Sequence, residues 1–328
     1  MAGRTTGLKT IAYSLGLSIN TVSRALRDCD DISEKTKELV RKKAYELGYM
    51  PGTVARYIKR DDKKLVAIII SDLKNLYFGT MCQRLAIVLN ANNYDFTIIS
   101  TFKDQLDDDV VKQCISQRVD AILSLIKCTD KAVEACKMNE IVLTLIGHRP
   151  DENDKYCDAI YSDQVQGIDV VANYLVNYHK IKKIAFVGNS RVSLSVDREH
   201  LFKEDLSNIN SEIDYVYLDI NDPNTVTVIL KEKYFGVFCY NDETAYLLLK
   251  EMNDLFPNVR KIYPKLHIVG YDALSTRVVG TIDLTSVSWD YDDMIEQTIK
   301  LLNSRLENIQ DKRKKIKLPV RLHQRKYY

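Results

Sequence analysis

Four polar residues each follow closely on an apolar run: Asp72 after KLVAIIIS, Arg149 just past LTLIGH, Asn241 within FCYND, and Asp272 closing LHIVGYD. Carboxylates, an amide and a guanidinium together can hydrogen-bond a small molecule rich in hydroxyls or heteroaromatic nitrogen. At any single one of these positions Asp or Asn can equally cap the following helix. Their recurrence as a set points to a ligand cleft. A second set lies in LGLSINTVSRALRD, residues 15–28. Placed on a helix, Val22, Ala25 and Leu26 cluster on one side, while Ile19, Asn20, Ser23, Arg24 and Arg27 fan across the other. That outward set suits the DNA major groove. Arg forks onto guanine O6/N7, Asn pairs with adenine N6/N7, and an apolar group meets a thymine methyl. Ile19 sits at the edge of the apolar stripe and would also fit a small core.

No set of residues with catalytic spacing accompanies these two. The five histidines (148, 179, 200, 267, 323) form no HExxH, and GxGxxG after the first strand, Walker A and GxSxG are all missing. The expectation is a protein that is not an enzyme and uses no metal or cofactor. The seven cysteines are scattered, odd in number and without a CxxC, as expected of reduced thiols. Trp289, the only tryptophan, reads as a packing anchor.

The elements needed to position the second set are short helices. Leu8, Ile11, Ala12 and Leu15 form a helical stripe, Gly16 supplies a left-handed stop, and Ser18 caps a second helix. Two helices joined by a short Gly-containing turn are a helix-turn-helix. Ser33 opens a third helix with Val40, Ala44 and Leu47 inward, ended by Gly48. Packing on a shared core allows such short helices to hold. The charged run KRDDKK, 59–64, then reads as a linker.

From residue 64 onward, strand-like and helix-like segments alternate. Strands are expected at 64–71, 95–100, 120–126, 140–147, 159–163, 183–188, 215–220, 235–242, 266–272 and 316–322. Helices are expected at 78–92, 107–117, 130–138, from 163 to about 178, 243–254 and 290–308. The fold class is an all-α helix-turn-helix head on an α/β body of two doubly wound lobes, with ligands expected at the C-terminal ends of the strands. Residues 1–60 carry 12 basic and 6 acidic side chains, the rest 35 and 39, so a basic head sits on an acidic body. An anionic partner is expected for the head, nucleic acid first. No apolar run long enough to span a membrane and no signal-peptide core is present, which places the protein in the cytoplasm.

The stretch LKTIAYSLGLSINTVSRALRD…ISEKTKELVRKKAYELGYMPGTVAR resembles the head of the LacI/GalR family of bacterial transcriptional regulators, without gaps from Leu8 to Arg56. The resemblance implies that Ile19, Asn20 and Arg24 read bases, with Ser18, Thr21 and Ser23 as cap, phosphate or support positions. It further implies a hinge helix at 53–59 that enters the minor groove through Thr53, Ala55 and Ile58. Thr10, Gly52 and Ile58 depart from the family's usual Asp, Asn and Leu. Weaker likeness continues in IIISDLKNLYFGTMCQRL, AFVGN, FCYNDETAYLLLKEM and IVGYD, implying a periplasmic-binding-protein-like effector domain and a homodimer. Asp72, Tyr77, Phe78, Arg149, Arg198, Asn241 and Asp272 are its implied effector contacts. Leu76 and Leu201 replace a family Pro and Gly, the latter beside Arg198, and residues 190–214 are short and acidic for the family.

The domains expected are a DNA-binding head at 1–50, a hinge and linker at 51–63, and an effector-binding and dimerisation body at 64–328. Lobe one takes about 64–161 and 289–315, and lobe two about 162–288 and 316–328. The function expected is a repressor that binds double-stranded operator DNA under control of a sugar or nucleoside-like effector. Two alternatives belong to other classes. A solute-binding receptor with a docking head would need a secretion signal, and a sugar- or nucleotide-acting α/β enzyme would need a phosphate loop and catalytic set.

Overall fold

The computed structural model describes residues 3–26, 29–46, 63–149, 156–257, 259–274 and 284–324. It divides into two compact units, Met1–Lys63 and Lys64–Tyr328.

The described residues of the first unit form three helices, α1 (Gly3–Leu15), α2 (Ile19–Leu26) and α3 (Glu34–Glu46). Ile11, Ala12, Val22, Ala25, Leu26, Val40 and Ala44 form one buried cluster, drawing on all three helices. Gly16 has φ +65° and so makes the left-handed turn after α1 that side-chain-bearing residues rarely adopt. Ser18 Oγ accepts from Thr21 N at 2.9 Å, and Ser33 Oγ from Thr36 N at 3.3 Å, so both expected caps form. Leu47, Gly48 and the expected hinge helix with Gly52, Thr53, Ala55 and Ile58 lie outside the described residues, as does Arg27.

Among its described residues the second unit contains fourteen strands. These are β1 (Leu65–Ile70), β2 (Asp95–Ser100), β3 (Gln105–Leu106), β4 (Ala121–Ser124), β5 (Lys127–Cys128), β6 (Val142–Ile146) and β7 (Asp158–Ser162), then β8 (Lys183–Gly188), β9 (Asp214–Asp219), β10 (Gly236–Cys239), β11 (His267–Tyr271), β12 (Thr285–Trp289), β13 (Lys315–Leu318) and β14 (Val320–His323). One six-stranded sheet has the order β13-β7-β6-β4-β1-β2 and a second β14-β12-β11-β10-β8-β9, while β3 and β5 pair by themselves. The first is parallel throughout, and the second is parallel except for β14, which runs antiparallel to β12. All six residues of β1 are buried, as expected of a central strand covered on both faces. Each Ile or Leu so buried contributes roughly 1.5–3 kcal/mol.

Helices α4 (Leu76–Ala91), α5 (Asp108–Ser116), α6 (Asp130–Met138), α7 (Gln164–Asn173), α8 (Ser193–Ile209), α9 (Thr225–Lys231), α10 (Asp242–Leu255), α11 (Val259–Ile262) and α12 (Tyr291–Glu307) complete the lobes. A π-helical turn, Tyr174–Tyr178, continues α7. The chain passes between the sheets after β7, after β12 and between β13 and β14.

Two expectations need correction. The run 316–322 is not one strand. Lys315–Leu318 pairs with β7 in the first sheet and Val320–His323 with β12 in the second. Pro319 lies between them, cannot donate to a ladder, and lets the chain change sheets. The lobe boundary therefore falls at Pro319 rather than at residue 316. The other is an omission: Thr285–Trp289 forms a fully buried strand in the second sheet. Among the described residues no helix is long and apolar enough to cross a membrane.

Candidate functional site: a recognition helix and a ligand cleft

On the head, α2 buries Val22, Ala25 and Leu26 and turns its opposite side outward. Ile19 is 41% exposed, which decides against its being core. Asn20 is exposed, and Thr21 and Ser23 are half-buried. Thr21 Oγ1 lies 2.8 Å from Ser18 Oγ. Arg24 projects from the same side, and its Nη2 meets Asp31 Oδ2 at 2.6 Å. Sequence reasoning did not single out Asp31.

In the body, the C-terminal ends of the strands of both sheets border one cleft of about 350 Å³. Six of the seven expected effector residues line it: Asp72, Tyr77, Phe78, Arg198, Asn241 and Asp272. Arg149 is exposed and is not among the lining residues; Gly147 and His148, just before it, are. Trp289, expected only to pack, also lines the cleft and is 6% exposed. Its indole stands 6.3 Å from the Tyr291 ring, edge on. A flat apolar wall beside convergent polar groups suits a ligand with one apolar and several polar faces.

Several of these side chains do two jobs. Asn241 caps α10, its Oδ1 accepting from Thr244 N at 2.9 Å, which leaves the amide nitrogen for the cleft. Asp72 Oδ1 accepts from Lys74 N at 2.9 Å in the turn that leads to α4. Asn75 caps α4 by accepting from Tyr77 N, so Leu76 begins the helix without the family's proline. Arg198 comes from α8, where Leu201 also packs against the core. The short, acidic segment around it thus still delivers the guanidinium to the cleft.

Arg198 is 4% exposed. Its guanidinium lies 3.7 Å from the centroid of the Tyr271 ring, donates to Tyr240 O, and reaches Asp272 Oδ1 at 3.9 Å. The last distance leaves the Asp272 carboxylate weakly paired. Burial, reinforced by Glu243 and opposed by Arg198, pushes Asp272 up to about 7. Beneath it, burial and the nearby Asp272 push Asp242 up to about 8. Asp242 Oδ2 accepts from Leu274 N at 2.7 Å and its Oδ1 from Ser286 Oγ at 2.5 Å, while Ser286 Oγ accepts from Ala273 N at 3.0 Å. These bonds pin the turn that holds Asp272 at φ 113°. Such strain persists only where surrounding contacts over-determine it. Gly270 is required for the clamp, since a Cβ there would stand 2.2 Å from Asp242 Oδ1. Burial also lowers His148 to about 4, and its Nε2 lies 3.0 Å from Leu125 O.

The raised carboxylates give a signed expectation. Their folded values exceed the ordinary carboxylate value, so the folded state binds more protons between about 4 and 8. Their contribution to stability is greatest below that window and is lost as pH rises through it. The ligand-free body is expected to lose thermal stability between pH 5 and pH 8, and Asp272→Asn to flatten that dependence. Melting temperatures of both proteins at the two pH values are the check.

The lobes also meet across the cleft. Asn75 Nδ2 donates to Glu243 Oε2 at 2.9 Å, and Lys127 Nζ stands 3.3 Å from Asp197 Oδ2. These contacts hold the lobes together over the site.

A head with an outward recognition helix, in one chain with a two-lobed ligand cleft, defines a DNA-binding regulator that answers to a small molecule. Residues 7–52 match the family model for bacterial regulatory proteins of the lacI family, and 172–326 match that for a periplasmic binding protein-like domain. The chain thus carries a lacI-family DNA-binding domain and a periplasmic-binding-protein-like domain. It is 28% identical over 319 residues to the HTH-type transcriptional regulator RegA of Clostridium saccharobutylicum, covering 92% of this chain and 93% of that one. It is 25% identical to the sucrose operon repressor of Pediococcus pentosaceus, covering 96% and 97%. The lac repressor dimer bound to operator and the anti-inducer ONPF shares the fold, with TM-score 0.65, 17% identity and 96% coverage of both chains. A ribose-bound LacI family regulator from Enterococcus faecium aligns with TM-score 0.64 and 19% identity over 80% of this chain and 97% of that one.

Proposed function

We propose that the chain is a cytoplasmic, homodimeric repressor whose grip on operator DNA is set by a sugar or nucleoside-like effector in the inter-lobe cleft. The observation that carries this reading is the convergence of Asp72, Arg198, Asn241, Asp272 and Trp289 on one cleft in a chain that also presents Ile19, Asn20 and Arg24 outward on α2. Relatives that bear the name of repressor, and a structural neighbour with ribose, support it. An effector changes operator affinity only if it binds one lobe arrangement better than the other. The Asn75–Glu243 and Lys127–Asp197 contacts would form in the closed arrangement and break in an open one. Selection of operators from a randomised duplex pool, with and without a panel of sugars and nucleosides, tests the reading. No sequence preference, or none that any ligand alters, would count against it.

Two expectations concern the DNA side. Arg24→Ala should cost about 1–3 kcal/mol on the best operator and relax preference at one position per half-site. A uniform loss over all sequences would make Arg24 a phosphate contact instead. In the proposed hinge, Ile58 acts as a wedge between base pairs, with Thr53 and Ala55 alongside it. Ile58→Ala should then reduce the bend of operator DNA in a gel-shift bending assay while leaving salt-driven non-specific binding unchanged. An unaltered bend would exclude the wedge.

A further inference from the structure

The segment after α2 is chemically out of place in the head. The head carries 12 basic and 6 acidic side chains over residues 1–60, yet DCDD, residues 28–31, gathers three of those acids in one run just past the recognition helix. Asp31 folds back onto that helix. Cys29 N donates to Arg24 O at 3.2 Å and Ile32 N to Cys29 O at 3.2 Å, closing a tight turn whose Ile32 packs on the core. Ser33 then caps α3. The turn therefore presents Asp31 Oδ2 at 2.6 Å from Arg24 Nη2, with the two side chains 51% and 42% exposed.

An ion pair as exposed as this contributes little to stability. Next to a DNA-facing helix it also has a cost, because a carboxylate repels phosphates. What it supplies is orientation. A free arginine side chain samples many rotamers and loses that freedom when it binds. Asp31 takes one Nη2 hydrogen and fixes the plane of the guanidinium, leaving Nη1 and the second Nη2 hydrogen as a fork. A fork of two donors matches guanine, which offers O6 and N7 as neighbouring acceptors. At adenine it meets one acceptor and the N6 amino donor. An untethered guanidinium can swing to a phosphate when the base is wrong; a tethered one cannot without breaking the pair.

We propose that Asp31 is a specificity-determining residue of the DNA-binding head. It acts through Arg24 as a positioning group, aligning the guanidinium for guanine and opposing contact with other sequences by its own charge. The inference rests on the reading of Arg24 as a base reader. Its test is operator selection from a randomised duplex pool with the full chain, as wild type, Arg24→Ala, Asp31→Asn and Asp31→Glu, followed by binding to the selected duplex and to an unrelated one.

Wild type is expected to select guanine at one position per half-site, and Arg24→Ala to lose that preference. Asp31→Asn should weaken the guanine-over-adenine preference at the same position by roughly tenfold and leave the other positions unchanged. It should also bind the unrelated duplex more tightly at low salt. Asp31→Glu, which keeps the carboxylate, should recover part of the preference. A merely structural Asp31 would instead lower binding to all sequences alike. If Arg24→Ala loses the guanine preference but Asp31→Asn keeps it in full, the role of Asp31 is overturned and Arg24 stands as a base reader. If Arg24→Ala keeps the preference, or wild type shows none, the reading of Arg24 fails and the inference fails with it.

Discussion

Asp272→Ala is expected to abolish the response to effector while leaving ligand-free DNA binding nearly intact. Among the described residues the Asp272 carboxylate accepts no hydrogen bond, and its nearest cation is Arg198 at 3.9 Å. Its backbone is nevertheless fixed, since its N–H donates to Val287 O at 2.7 Å and its carbonyl accepts from Tyr291 Oη at 2.5 Å. A group rigidly placed yet under-paired is preorganised for an external donor such as a hydroxyl. Losing a hydrogen bond to a charged group costs about 1.5–3 kcal/mol, or roughly 10- to 150-fold in affinity. Asp272→Asn should be milder, because an amide oxygen still accepts and because the native carboxylate already titrates near neutrality, about 7. The measurement is a thermal-shift screen of sugars and nucleosides on wild type, then calorimetry and operator binding on both variants. A ligand that binds wild type and Asp272→Ala equally would show that Asp272 does not face it.

The head was legible because its signals are local. A stripe at helical spacing, a glycine at a left-handed stop and a serine at each cap act within a few residues, and Gly16, Ser18 and Ser33 take those roles. The central strands were legible for the opposite reason: LVAIII is buried on both faces and reads as a continuous apolar run. Thr285–Trp289 escaped because its buried positions include hydroxyls. Ser286 bonds Asp242 and Ser288 lies 3.0 Å from His323 Nε2, and no short-range pattern announces partners so far along the chain. Helix α8 escaped because its apolar residues form only a weak stripe over SLSVDREHLFKEDLSNI. Of the cleft, the strand-end residues Asp72, Asn241 and Asp272 could be found by rule. The place of Trp289 depended on a strand that was not expected, and the Asn75–Glu243 bond depends on how two lobes meet.

Asp158→Ala is expected to cost the body about 3–5 kcal/mol, the usual result of removing one member of a buried ion pair. Arg305, on α12, and Asp158, on β7, are 1% and 0% exposed, and they pair bidentately at 2.6 and 2.9 Å. Arg305 also donates to Lys312 O at 2.5 Å, and Asp158 accepts from Lys314 N at 2.7 Å. The pair thus ties the return from α12 into β13, the strand that precedes the chain's last passage between lobes. With Asp158 gone, the Arg305 guanidinium is left charged and dry, held among the described residues by the Lys312 carbonyl alone. Replacing both partners by apolar groups of similar size should cost less, because of the buried charges only Arg313, 3.9 Å from Asp158 Oδ2 and partly open to solvent, then loses its partner. Denaturant unfolding of Asp158→Ala and of the double variant Asp158→Leu/Arg305→Met separates the two cases. Similar losses in both would show that the bonds to Lys312 and Lys314, rather than the ion pair, hold the return in place. A small loss in Asp158→Ala alone would show that water reaches Arg305 once the carboxylate is removed.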